Sequence, residues 1–264
     1  FIKNVLGVGS DELGLYGPAD TYYGTVEQQG RLTLHMHMLI WIKGALSPQE
    51  IRTRMLEPNS AFQKDMIAYL EVSHVGEFLS GTMAEVRAKV PYHTKSRQGL
   101  HDVILDEIPI PLPVRYADPT QTLPKGPPPL CEDCTGKMCS KCDDLDNWWD
   151  KWEETVDDLI LRSNVHTCRC LRTDGTCASR FPRDLYMKTE VDPEDGSINV
   201  KKLEPMLNCL TPDVTYCLRC NTDVTSLLSG TSIKAVVAYI SDYISKASLK
   251  IYHIFHTVKD ILNR

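Results

Sequence analysis

The sequence predicts an α+β fold, and three stretches carry that prediction. Residues 22 to 42 alternate in polarity as two strands joined by a turn at Gly30-Arg31 would. "SPQEIRTRML", from Ser47, opens with the signals of a helix start. Towards the end, "SIKAVVAYISDYISK" repeats its apolar residues at helical spacing.

In the second strand the even positions Leu32, Leu34, Met36, Met38, Ile40 and Ile42 are all apolar. The odd positions are Thr33, His35, His37, Leu39 and Trp41. Period two therefore puts both imidazoles on one side and a continuous apolar row on the other. A helix would separate the histidines by about 200°. The preceding strand offers Glu27, Gln28 and Gln29 as further donors. A two-residue loop would bring Gln28 to the histidine side and a three-residue loop Glu27, because one step of register flips every side chain.

Ser47 is the expected N-cap of the first helix, with Pro48 at its first position and Glu50 three residues after the cap. "NSAFQKDMIAYLEVSHVGEFL" reads as a second helix and a short connection. From Pro109 to Pro129 ("PIPLPVRYADPTQTLPKGPPP") proline fixes extended backbone and marks a linker or a wrapping arm. A cysteine run (131 to 142) follows, then an acidic amphipathic helix starting near "DNWWDKWEETVDDLILRS". Its tryptophans Trp148, Trp149 and Trp152 sit among carboxylates that would repel phosphate, so packing is expected of them rather than base stacking. A second cysteine-containing region runs from His166 to Cys220, and a helix around 231 to 248 closes the chain. The expected division is 1–108, 109–163 (proline-rich linker, cysteine knuckle and acidic helix) and 164–264.

Of the residues, 42% are hydrophobic and 24% charged, enough for one large core or two smaller ones. The apolar runs fall short of the roughly 18 residues of a membrane span, and no partner membrane is expected. "FIKNVLGVGSDELG" lacks the basic start and apolar run of a secretory signal, and a chain opening on Phe1 is expected to be an excised piece. Ten cysteines without such a signal, several in C-x-x-C spacing, point to metal binding rather than disulfides. The net charge is −6, yet residues 131 to 158 alone hold ten Asp or Glu against three Lys. Residues 230 to 264 carry five Lys or Arg against two Asp, so an acidic total does not exclude a nucleic-acid face. "HTKSRQG" (93 to 99) and the terminal lysines are the expected backbone contacts.

Two histidines on one strand face can share a divalent cation if a third donor joins them; the competing reading is a pair of packed histidines. Tyr239, Tyr243 and Lys246, spaced i, i+4, i+7, fall within about a 60° arc of a helix, beside the apolar face of Val236, Val237, Ile240 and Ile244. The competing reading there is interfacial tyrosines and a solvated lysine. Together the motifs offer a Lewis acid for a phosphate, a hydroxyl nucleophile and a cation.

"GRLTLHMHMLIW" resembles the HUH motif (His, hydrophobic, His) of rolling-circle replication endonucleases, and "YISDYISK" resembles their two-tyrosine motif. "VEQQGRLTLHMHMLIW", "CASRFPRDL" and "CNTDVTSLLSGTSIKAVVAYISDYISK" are similar to the replication-initiator domain of Helitron transposases, in the form found in fungal elements. The resemblance covers about residues 20 to 44 and 164 to 250, with three motifs in order. It implies a central antiparallel sheet with flanking helices, the histidines on a middle strand and the tyrosine helix beside them, interrupted here by a long zinc-binding insertion. It implies that His35 and His37 bind Mg²⁺ or Mn²⁺, with Glu27 or Gln29 as the matching third ligand and Gln28 ranked lower. It implies that Tyr239 and Tyr243 attack single-stranded DNA, leaving a 5′-phosphotyrosine link and a free 3′-hydroxyl, with Lys246 at the family's basic position. The expected partner is single-stranded DNA at transposon ends and target, and the expected location is the nucleus. Such transposases continue into a helicase, but no G-x-x-x-x-G-K-[ST] loop occurs in this chain, so unwinding is expected elsewhere in a longer protein.

Cys131, Cys134, Cys139 and Cys142, spaced C-x2-C-x4-C-x2-C, are expected to hold one structural zinc; a disulfide or disorder is the alternative. A second zinc is expected from Cys168 or Cys170 with Cys177, Cys217 and Cys220, against the alternative of buried thiols. His166 stands in the same region, and Cys209 is expected to be an ordinary buried thiol. The rival functions are a non-catalytic zinc module that binds DNA or protein, and a metallohydrolase that uses water and forms no covalent intermediate.

Overall fold

The structure is a computed structural model and describes residues 1–28, 34–90, 117–131, 139–167 and 171–241. The alternating stretch forms β1 (Ala19–Gln28) and β2 (Leu34–Ile42), paired antiparallel. Thr25 stands opposite His37 and Glu27 opposite His35, with one irregularity between Ala19 and Thr21. The expected turn at Gly30-Arg31 lies outside the described residues. The even row of β2 is not a buried row at its turn end, where Leu34 is 78% and Met36 48% exposed.

α1 (Pro48–Met55) has the cap that the sequence announces. The Ser47 hydroxyl accepts from the Glu50 N–H, and the Glu50 carboxylate accepts from the Ser47 N–H, so two donors left over at the helix start are satisfied. α1 buries Ile51 and Met55. Its last turn meets the tight turn 192–197, where Arg52 pairs with Asp195 at 3.7 Å. Only glycine fits at 196, because φ is +69° and a Cβ would come within 2.5 Å of the Arg52 carbonyl oxygen.

The chain divides into two compact units. One comprises Phe1–Gln63, Val191–Ser197 and Ser226–Arg264 and contains β1, β2, α1 and a terminal helix described over 230–241. The Ser229 hydroxyl caps that helix by accepting from the Ser232 N–H at 3.0 Å. Ile240 is buried at 6% exposure, whereas Val237, expected on the same face, is 49% exposed.

The other unit, Lys64–Glu190 and Ile198–Thr225, holds the larger core. Its main helices are α2 (Ala61–Ser73, most of it in this unit), α3 (Met83–Lys89), α4 (Ser140–Leu159, continued by a π-helical turn Ile160–Asn164) and α5 (Pro212–Leu218). Phe78, Val86, Val156, Ile160, Leu207, Leu210 and Tyr216 form one buried cluster, against which Trp148 and Trp152 pack. The expected packing of these two rings is thus observed. α4 starts six residues before the expected "DNWW", directly after Cys139, so the acidic helix is continuous with the cysteine hooks. The Asp157 carboxylate ties α4 to the segment before α3, accepting from the Leu79 N–H (2.7 Å), the Ser80 N–H (2.9 Å) and the Ser80 hydroxyl (2.6 Å).

The proline-rich stretch is a wrapping arm where it is described. The Lys125 carbonyl accepts from Trp148 Nε1 (3.1 Å) and from the Tyr216 hydroxyl (2.9 Å). The short strands β3 (Glu190–Val191) and β4 (Ile198–Asn199) form the other two-stranded sheet. The chain is thus mixed helix and strand with small antiparallel sheets. No helix among the described residues is long and apolar enough to cross a membrane. The expected boundary at 108/109 lies outside the described residues.

Candidate metal centre

Register builds the first site. Because Glu27 stands opposite His35, and Thr25 opposite His37, period two places the carboxylate and both imidazoles on one face of the hairpin. This is the parity of the three-residue loop. Gln28 pairs with Leu34, one step out of phase, and Gln29 lies outside the described residues.

Glu27 Oε1 is 3.4 Å from His37 Nε2, with side chains 19% and 18% exposed. The His35 and His37 rings meet edge-on with centroids 4.5 Å apart. One donor atom from each of Glu27, His35 and His37 lies within 4.8 Å of the other two. Ligands about 2.0–2.2 Å from a shared ion stand about 3–4 Å apart, so these residues can hold a divalent metal. Two neutral nitrogens and one carboxylate leave coordination positions open for substrate, unlike a closed structural site.

Tyr239 joins this group from the terminal helix of the same unit. Its ring stands edge-on to His37 with centroids 5.2 Å apart and planes at 84°. The buried Ile240 anchors the helix, while Tyr239 keeps 48% of its surface exposed. Tyr243 and Lys246 lie outside the described residues, as does the segment 93–99.

The second donor group is sulfur. Cys131, Cys139 and Cys142 each offer a thiol within 4.8 Å of the others and could hold a metal such as zinc. The Sγ atoms of Cys131 and Cys139 are 3.5 Å apart, far beyond the ~2.05 Å of a disulfide and near the ~3.8 Å edge of a zinc–thiolate tetrahedron. Cys139 sits at the start of α4, where the Cys142 N–H, then the Cys131 thiol, pull its pKa down to about 7. A thiol that ionises this readily is prepared for a metal. Cys134 lies outside the described residues.

The second zinc expected from Cys168 or Cys170, Cys177, Cys217 and Cys220 has a different outcome. Cys168 and Cys170 lie outside the described residues, and no three-donor cluster among the described residues includes Cys177, Cys217 or Cys220. Burial is the main cause that raises the thiol pKa of Cys209 and Cys217, as in packed cysteines. His166, grouped with these cysteines in the sequence but left out of the expected zinc set, has its Nε2 3.2 Å from Cys177 Sγ. The signal was present, since His166 precedes two cysteines in "HTCRC".

No protein-family model, curated protein or solved structure matches the chain.

Proposed function

We propose that this chain is the nicking and joining domain of a rolling-circle, Helitron-type transposase, with an HUH-like nuclease fold. It is a metal-dependent endonuclease and strand transferase on single-stranded DNA. The observation that carries the reading is the Tyr239 ring set 5.2 Å from His37, beside a Glu27–His35–His37 donor group. A phenol half exposed next to a set of metal donors has the reach of a nucleophile towards a phosphate held there.

Glu27, His35 and His37 hold Mn²⁺ or Mg²⁺, which supplies Lewis-acid polarisation of a phosphate oxygen. The two imidazoles favour Mn²⁺, because Mg²⁺ takes oxygen ligands almost exclusively. Tyr239 Oη attacks the phosphorus, the new Oη–P bond replaces the bond from phosphorus to the 3′-oxygen, and the phenol proton ends on the leaving 3′-hydroxyl. DNA then remains on the tyrosine through its 5′-phosphate. A 3′-hydroxyl from a second strand reverses the exchange, which joins strands without a high-energy cofactor. Tyr243 supplies a second transfer and Lys246 charge for the phosphate. Unwinding is assigned to a helicase elsewhere in a longer protein, and the site of action is the nucleus.

Labelled single-stranded DNA with transposon-end sequences, incubated with Mn²⁺ or EDTA and run on a denaturing gel, tests this. The reading expects a denaturant-resistant adduct that needs metal and is lost in Tyr239→Phe, Tyr243→Phe or the double variant. Cleavage without an adduct would replace it with hydrolysis by water. DNA bound but neither cut nor linked would replace it with a binding module.

A further inference from the structure

We propose that His166 and Cys177 are two ligands of a second, structural zinc ion, held by donors other than the Cys131–Cys139–Cys142 group. The first observation is their separation. Nε2 of His166 is 3.2 Å from Sγ of Cys177. A tetrahedral zinc with about 2.0 Å to nitrogen and 2.3 Å to sulfur sets those atoms about 3.5 Å apart.

The second observation is a hairpin that returns the chain to the same place. Arg172 N–H donates to the Thr176 carbonyl at 2.8 Å, and Gly175 N–H to the Arg172 carbonyl at 3.0 Å. Gly175 has a φ of +81°, and the Asp174 carboxylate accepts from the N–H and hydroxyl of Thr176 at 2.9 and 2.7 Å. The result is an antiparallel bridge between Leu171 and Cys177. His166 and Cys177 thus come from one short piece of chain.

The third observation is how firmly the imidazole is held. The His166 ring lies flat on Phe181, centroids 4.0 Å apart and planes at 8°, and the Arg183 guanidinium is 4.4 Å from the centre of the Phe181 ring. Arg183 is itself held by two N–H donors to Asn208 Oδ1, at 3.1 and 2.8 Å. His166 N–H donates to the Met206 carbonyl at 2.8 Å. Cys177 is only 6% exposed, out of reach of a substrate. A closed metal site is the use that this pair fits.

Zinc content of the purified chain, measured by mass spectrometry of the elements, tests the proposal. Cys177→Ser and His166→Ala should each lower it by about one ion per chain, and Cys139→Ser should remove a different ion, so that the double variant Cys139→Ser/Cys177→Ser loses about two. The pair Cys217→Ser/Cys220→Ser should lose none. If the alanine or serine variants fail to fold, His166→Cys decides, because it keeps a tetrahedral donor. It should retain the ion, and after Co²⁺ replaces zinc its visible bands should move relative to the unsubstituted chain. Unchanged zinc in Cys177→Ser, loss in the Cys217/Cys220 pair, or unmoved Co²⁺ bands in His166→Cys would overturn the proposal. A single ion lost with Cys177 and kept in Cys139→Ser would uphold it and remove the other zinc.

Discussion

Glu27 is the residue on which the histidine site turns, because it is the described carboxylate that the strand register brings to the two imidazoles. Removing it takes away a ligand and its charge. Glu27→Ala should therefore weaken Mn²⁺ binding by about 10–100-fold or more, the loss expected even when a residue supporting a ligand is removed. Glu27→Gln, which keeps an oxygen, should fall between. A titration of the free Mn²⁺ paramagnetic signal measures this, and an unchanged affinity in Glu27→Ala would exclude the carboxylate as a ligand. His74 makes a second prediction. Burial is the main cause that lowers its pKa, its Nδ1 is 2.8 Å from the Ser73 hydroxyl, and its Nε2 is buried without a hydrogen-bond partner among the described residues. A histidine with a depressed folded pKa binds its proton first in the unfolded chain. Its stabilising contribution is therefore complete above the unfolded value of about 6.5 and is lost as pH falls from there towards the folded value. The unfolding free energy from urea melts should fall more between pH 7.5 and 5.5 in the native sequence than in His74→Leu. Equal slopes would remove His74 as the cause.

At the scale of elements, what the sequence made legible was local. Ser47, Pro48 and Glu50 lie within four residues, and the capping box they spell is the one that forms. The hairpin was legible because its side chains alternate with the pleat, and the parity of the turn carried Glu27 to the histidines. Contacts that depend on distant segments were not legible. Asp157 reads as one more charge on an acidic helix, yet it is 1% exposed and satisfies donors 77 and 78 residues away. Asp157→Ala would leave three donors facing a gap, at a cost of about 3 kcal/mol in urea unfolding. Asp150→Ala, on the exposed side of the same helix, should stay within about 0.5 kcal/mol. Equal effects of the two would show that the Asp157 contacts do not hold α4. The early start of α4 was missed because Ser140 to Asp146 has no apolar period, and the helix begins from the cysteine hooks instead.

At the scale of the molecule, the two units carry different chemistry. The first holds Glu27, His35, His37 and Tyr239, and its apolar strand row remains partly exposed. The second holds the main core, the wrapped proline arm, the Cys131–Cys139–Cys142 thiols and the His166–Cys177 contact. The mixture of helix and strand was legible from two periods, 2 and 3.6, that hardly overlap in this chain. The interleaving of the units was not, since Val191–Ser197 and Ser226–Arg264 return to the first unit through contacts that no local pattern encodes. The pairing of His166 with Cys177 was hidden for a related reason. It depends on the 171–177 hairpin, whose turn residues Asp174 and Gly175 show in the sequence while the ring stack that aims His166 does not.

The central claim is that a tyrosine of the terminal helix becomes covalently joined to DNA beside the histidine pair. Tandem mass spectrometry after reaction with single-stranded DNA and Mn²⁺, nuclease trimming and trypsin reads it directly. The peptide 235–246 contains both tyrosines, and its fragment ions separate them. A nucleotide 5′-phosphate on Tyr239 or Tyr243, absent with EDTA and absent when His35 and His37 are both alanine, is the predicted result. Cut DNA with both tyrosines unmodified would contradict the account.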